Sequence, residues 1–239
     1  MRPIYTFIRH CNLSANSQNK TRPDWFTKEK AFENLMNTKD SDVHVYIMLD
    51  TASIADPSQH FTYKYSDKRN NVKIVPMKGG TDAHSFINMV NYVCSLELPS
   101  DAIVYLLEDD YIHKAGWCEV LREAFDANLA TYVTLYDHSD KYSDMYKNLQ
   151  SNIFATKHCH WRTTPSTTNT YACLFGTLLH YKETHLMFSD TKVGFTFDHN
   201  KFMYLCNQLN QKLISSIPGY STHVEEIFLS PCVDWSVTI

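Results

Sequence analysis

Residues 103–110 read IVYLLEDD. The five apolar residues Ile103–Leu107 predict a strand buried on both faces, the pattern of a strand inside a parallel sheet. Three carboxylates follow at once, Glu108, Asp109 and Asp110. In an open α/β sheet, ligands bind beyond the carboxyl ends of the strands, which is where this triplet stands. Three ionised carboxylates in a dry site repel one another. A divalent cation relieves that repulsion, and oxygen ligands suit Mg²⁺ or Mn²⁺. The structural alternative is a solvated acidic loop that leads into the next helix.

Outward from this stretch, Trp117, Val120, Leu121, Ala124 and Phe125 recur at helical spacing and predict a helix. Thr131–Leu135 reads as the next strand. On the amino-terminal side, Ile4–Ile8, Val43–Leu49 and Val72–Val75 read as strands. Thr27 caps a helix with Ala31, Phe32, Leu35 and Met36 on its apolar side. Gly79-Gly80-Thr81-Asp82 turns the chain into a helix bearing Phe86, Val90, Val93 and Cys94. Strands alternating with helices imply an α/β fold with right-handed parallel crossovers. The strand-end rule then selects Arg9 and His10, Asp50, Gly79–Asp82, Glu108–Asp110, and Asp137 with His138. A polar loop through Asn12, Asn16, Asn19, Lys20 and Arg22 follows the first strand. The second half is less regular. Residues 156–170 are rich in His and Thr, and Tyr171–Phe175 is apolar. Asp198 is expected to begin a helix, and a strand-like run, Leu213–Ile217, precedes a Pro-Gly turn and His223.

The chain has 239 residues, 44% hydrophobic and 20% charged, enough apolar surface to offset the entropy of ordering and to exclude disorder. A formal charge of −4 argues against nucleic-acid binding driven by phosphate neutralisation. The seven cysteines are scattered with no CxxC pair, so a disulfide framework or structural zinc site is not expected. No apolar stretch approaches the roughly 20 residues that span a bilayer, and no signal peptide opens the chain. These features, with the absence of repeats or linkers, lead to the expectation of one cytoplasmic domain over residues 1–239.

Several stretches resemble one family. They are NKTRPDWFTKEKAFENL (19–35), GGTDAHSF (79–86), VYLLEDDYIHKAGWCEVLREAF (104–125), YVTLYDHSDKY (132–142), HWRTTPSTTNTYA (160–172), and IPGYSTHVEE with LSPCVDW near the end. The chain resembles GT-A fold nucleotide-sugar glycosyltransferases, and within them the capsid-glycan glycosyltransferase domain of chlorella viruses. The resemblance implies an α/β GT-A fold with a mixed, mostly parallel sheet. Residues 1–112 would form a nucleotide-sugar-binding half and residues 113–239 an acceptor-side half. It implies sugar transfer from a nucleotide-diphosphate donor, a UDP-hexose by default, to a glycan or glycoprotein, in the host cytoplasm if the protein is viral.

The residues take roles accordingly. The family's D-x-D metal element reads Glu108-Asp109-Asp110 here, with Glu in the first position. Asp110 is the direct ligand of Mn²⁺ or Mg²⁺, and Glu108 acts through water or the ribose. His223 is the second metal candidate; an imidazole suits Mn²⁺ better than Mg²⁺. A metal bridging the diphosphate would stabilise the departing charge. Arg9, Lys20 and Arg22 are expected to reach the diphosphate. Asp50 either accepts from the base or ribose or serves as a turn residue; Gly80, Thr81 and Asp109 complete the donor pocket. An inverting reaction needs a general base. Asp198 fits that place, with a plain helix N-cap as its alternative. Asp137 and Asp140 are rivals that could instead contact the acceptor. His160, Trp161 and Arg162 are expected to line the sugar or acceptor cleft, with packing as the alternative for Trp161. A sugar-phosphate nucleotidyltransferase would usually carry a Gly-rich basic loop after the first strand, and none is present. A two-metal phosphoesterase would need a second ligand set. A non-catalytic nucleotide-sugar binder is separated only by an activity assay.

Overall fold

Strand β4 (Ile103–Glu108) lies in the interior of the sheet, and its residues alternate between two hydrophobic cores. Ile103, Tyr105 and Leu107 join one core, and Val104 and Leu106 the other. Two-sided burial is why this strand is continuously apolar rather than alternating. Burying each such side chain contributes about 1.5–3 kcal/mol. The computed structural model describes residues 1–12, 19–66 and 71–239; residues 13–18, which include Asn16 of the predicted loop, and 67–70 lie outside the described residues.

The other strands are β1 (Ile4–His10), β2 (His44–Asp50), β3 (Val72–Met77), β5 (Tyr111–His113), β6 (Tyr132–Thr134), β7 (Ile153–Ala155), β8 (His160–Thr163), β9 (Tyr171–Leu174), β10 (Ser189–Asp190), β11 (Phe195–Thr196), β12 (Leu213–Ile217) and β13 (Ser221–His223). The helices are α1 (Lys28–Thr38), α2 (Asp82–Cys94), α3 (Trp117–Asp126), α4 (Phe175–His180), α5 (Lys182–Met187) and α6 (Asp198–Asn207). A nine-stranded sheet has the order β3-β2-β1-β4-β9-β6-β12-β8-β7. All strands run one way except β9 and β8. Phe32, Leu35, Trp117 and Leu121, from α1 and α3, pack on one face. Phe86, Val90, Leu178, Phe202 and Leu205, from α2, α4 and α6, pack on the other. The architecture is the expected mixed, mostly parallel α/β sheet flanked by helices.

Four local differences matter for the site. Strands β1 and β2 run on through Arg9, His10 and Asp50, so these side chains leave rigid strand backbone rather than loops. Antiparallel β9 separates β4 from β6, where alternation alone implied parallel neighbours. Pro76, which cannot donate a ladder hydrogen bond, is tolerated because β3 is an edge strand. The two short strands β5 and β13 pair with each other away from the main sheet. No helix among the described residues is long and apolar enough to cross a membrane. All seven cysteines are described, and none is in a disulfide.

Candidate active site

A cavity of about 510 Å³ opens at the carboxyl ends of β1, β2 and β4. Arg9, Lys20, Asp50, Gly80, Thr81, Glu108, Asp109, Asp110 and Asp198, all expected at the site, line it. His10, Lys28, Asp82, Asn169 and Thr196 line it too.

The β5–β13 ladder builds the most concentrated chemistry at the cavity's edge, where His223 and Arg22 reach Asp110 without lining the cavity themselves. His223 pairs in register with Tyr111, directly after Asp110, and the Val224 amide donates to the Asp110 carbonyl at 2.8 Å. That register brings His223 Nε2 to 3.0 Å from Asp110 Oδ2, across a sequence separation of 113 residues. Lys20 Nζ stands 2.8 Å from Asp110 Oδ2 and 3.0 Å from His223 Nε2. Arg22 donates to the same carboxylate oxygen at 2.6 Å and to the Val224 carbonyl. Burial works against the Asp110 charge, but His223, Lys20 and Arg22 outweigh it and hold the carboxyl well below its ordinary range.

The neighbouring carboxylates are held differently. Asp109 Oδ2 accepts from Lys28 at 2.9 Å and from the Cys11 amide at 3.0 Å, with His10 Nδ1 at 3.1 Å. Burial opposes its charge, but His10 and Lys28 keep the carboxyl below its ordinary range. Glu108 Oε1 accepts from Arg9 at 2.9 Å, and Oε2 from the Thr170 hydroxyl at 3.3 Å. Burial pushes this carboxyl up to about 7, with Asp110 adding and Arg9 opposing. Arg9 was expected at the diphosphate, but its fork is occupied: one amino group binds Glu108 and the other Asp82, at 2.6 Å. It ties the acidic motif to α2 instead.

Asp50 fills the turn-residue role of its two expected ones. Its oxygens accept from the Ala52 amide at 3.0 Å and the Gly80 amide at 2.8 Å, so it holds two turns while facing the cavity. A Cβ on Gly79 would lie 2.8 Å from Asp50 Oδ2, and Gly80 has φ +72°, which explains the glycine pair at this approach. Thr81 is the N-cap of α2 and accepts from the His84 amide at 3.2 Å.

Asp198 faces the cavity but is not a helix cap. Phe197 holds that position, α6 has no side-chain cap, and Asp198 Oδ1 accepts from the adjacent His199 amide at 2.7 Å. Burial raises its carboxyl, opposed by Lys201.

The remaining predicted residues do not line this cavity. Asp137 is buried with both oxygens committed, to Arg162 at 2.6 Å and to the Tyr142 hydroxyl at 2.7 Å. Asp137 and Arg162 therefore form a buried pair, where a base or acceptor contact and a cleft-lining residue were expected. Asp140 binds Lys141 at 2.7 Å and lies 3.0 Å from His138. Trp161 is fully buried, with its indole N–H on Thr156 at 3.1 Å, so packing and not sugar stacking describes it. His160 is exposed on β8 opposite Ile217. Among residues that sequence reasoning missed, Lys201 had a legible signal: it stands one residue before Phe202 and four before Leu205, on the apolar side of α6. Asn169 and Lys28 had none.

No family model and no curated protein matches this sequence. Solved structures do. One is TarS residues 1–349 from S. aureus: TM-score 0.52, 11% identity, over 92% of this chain and 59% of that one. TarS in complex with UDP-GlcNAc matches with TM-score 0.50 and 11% identity, over 92% and 57%. GalNAc-T7 with UDP, GalNAc and Mn²⁺ matches with TM-score 0.61 and 7% identity, over 90% and 42%. The chain thus spans 42–59% of the length of these structures. At such identities the likeness is one of fold, and the fold is that of GT-A glycosyltransferases.

Proposed function

We propose that this chain is a metal-dependent glycosyltransferase that moves a sugar from a nucleoside diphosphate, a UDP-hexose by default, to a glycan or glycoprotein with inversion. One observation carries the reading. Asp110 and His223 converge on a single point at the carboxyl end of a central strand, with the Lys20 ammonium 2.8 Å from the carboxylate and 3.0 Å from the imidazole nitrogen. A carboxylate oxygen and a neutral imidazole nitrogen at one point form a donor set that fits Mn²⁺, and Mg²⁺ less well. Asp110 and His223 would hold the ion, with Glu108 alongside. When bound, it would supply Lewis-acid stabilisation of the charge on the departing diphosphate.

The chain's own residues do the rest. Lys20 and Arg22 border the same point and add positive charge where diphosphate oxygens gather. Asp198, its carboxyl raised by burial, takes the proton of the attacking acceptor hydroxyl. The cavity's volume is in the range that encloses a ligand of nucleotide-sugar size. The ligands in the similar GalNAc-T7 and TarS structures, UDP with Mn²⁺ and UDP-GlcNAc, support the donor class. The resemblance to the algal-virus branch supports a capsid glycan as acceptor and a cytoplasmic setting.

The test is a panel of nucleotide sugars with Mn²⁺, read as donor hydrolysis, transfer and thermal stabilisation. UDP-sugars should be consumed, EDTA should abolish turnover, and Mn²⁺ should restore it at least as well as Mg²⁺. Full activity in a metal-free preparation, or no consumption of any donor, would overturn the proposal.

A further inference from the structure

Lys201 is 1% exposed, and the mechanism above does not use it. Its ammonium lies among three aromatic rings, 4.4 Å from the centroid of Phe86, 4.8 Å from Tyr171 and 5.1 Å from Phe202. Its hydrogen-bond partner is Asn169 Oδ1, at 2.5 Å. The ammonium donates to one neutral acceptor. Asp198, Glu108 and Asp82 attract its charge through space, but burial outweighs them, so the charge still costs stability, and an apolar side chain of similar length would fill the same space. Packing therefore does not account for the ammonium.

The hydrogen bonds that leave Asn169 do. Asn169 Nδ2 donates to Thr196 Oγ1 at 2.6 Å, and that hydroxyl donates to Asp82 Oδ2 at 2.5 Å. Arg9 then bridges Asp82, at 2.6 Å, and Glu108, at 2.9 Å. Asn169, Thr196, Asp82, Arg9 and Glu108 all line the cavity, so this chain forms one of its walls. An ammonium has three donors and no acceptor. It forces the amide oxygen of Asn169 toward itself and the NH₂ toward Thr196. Because Thr196 accepts from that NH₂, its own proton goes to Asp82. With the amide flipped, Asn169 Oδ1 and Asp82 would compete for the one hydroxyl proton.

We infer that Lys201 is a positioning residue. From beneath the cavity it sets the orientation of the Asn169 amide, so that the wall beside the acidic motif offers a bound substrate an N–H donor and stays locked to Glu108. The functional consequence rests on the transferase reading; the orientation of Asn169 does not.

The test uses Lys201→Met, which keeps length and apolar bulk, and is run near pH 6, where the lysine carries its proton. In asparagine-labelled ¹⁵N protein, with the signal assigned by Asn169→Ala, exchange of the Asn169 NH₂ should be at least about tenfold faster in Lys201→Met than in wild type, because the locked orientation is lost. With a UDP-sugar and Mn²⁺, kcat should fall by about tenfold or more while UDP affinity stays within about twofold, a split that a merely structural residue would not produce. Asn169→Ala should show a similar loss, and the double variant should lose no more than the larger single effect. Unchanged exchange, a kcat within about twofold of wild type, or additive losses would each overturn the inference. If wild type consumes no donor, the transferase reading fails, and the exchange measurement alone decides the role of Lys201.

Discussion

Replacing Lys201 with Met should stabilise the protein, and by an amount that depends on pH in a defined way. Burial drives the Lys201 ammonium from 10.5 down to about 7. Its folded pKa therefore lies below its unfolded one, the reverse of a lysine that gains an ion-pair partner. Between pH 7 and 10.5 the unfolded state binds the additional proton, so stability rises with pH by up to about 1.4 kcal/mol per pH unit from this group. Over the whole window of about 3.5 pH units, the charge costs about 5 kcal/mol at or below neutrality. Met removes that cost but leaves Asn169 Oδ1 without its donor, a loss of about 1–3 kcal/mol. It also forfeits up to about 2 kcal/mol of attraction to the three ring faces. The net gain near pH 7 therefore spans about 0–4 kcal/mol and centres near about 2 kcal/mol, or about 4–8 °C in melting temperature for a chain of this size. Urea unfolding of both proteins at pH 7, 8, 9 and 10 reads the difference directly, because titrations common to both cancel. The advantage of the variant should shrink as pH rises and should reverse before pH 10. A stability difference that does not vary with pH would refute the reasoning, because it would mean that Lys201 carries no charge penalty.

Three further outcomes follow from the site. His223→Ala should raise the Mn²⁺ concentration for half-maximal activity; an unchanged titration would remove His223 from the metal site. Asp198→Asn should leave UDP affinity nearly intact and cut turnover by about 10²–10⁴-fold, the range of general-base help. Near-normal turnover, or retention of anomeric configuration in the product, would sink its role as base. Arg162→Met leaves Asp137 charged, buried and held only by Tyr142, so it should cost about 3–5 kcal/mol in chemical unfolding. A loss below about 1 kcal/mol would show that the pair is solvated.

The sequence by itself determined the longer strands, the helices of the first half and the place of the acidic motif. Burial is written locally: a strand covered on both faces, such as Ile103–Leu107, must be apolar throughout, and a helix such as α3 must repeat its apolar residues at helical spacing. Glu108–Asp110 could be assigned to a strand end for the same reason. Only the tertiary structure decided which charge meets which. His223 reaches Asp110 through a ladder of two three-residue strands, too short to leave a periodic signal. Arg9 lies at the carboxyl end of the first strand, within it rather than after it, and its partners Asp82 and Glu108 come from two other elements and occupy the fork expected at phosphate. Trp161 sits in a polar His- and Thr-rich stretch but packs into the core because β8 pairs with β12. Lys201 shares the apolar side of its helix, where the ring faces around it, the amide of Asn169 and the nearby Asp198 carboxylate account for a charge. Hydrophobic periodicity records whether a residue is buried. Ion pairs and hydrogen bonds join groups distant in sequence, and long-range register sets them, which no local pattern encodes.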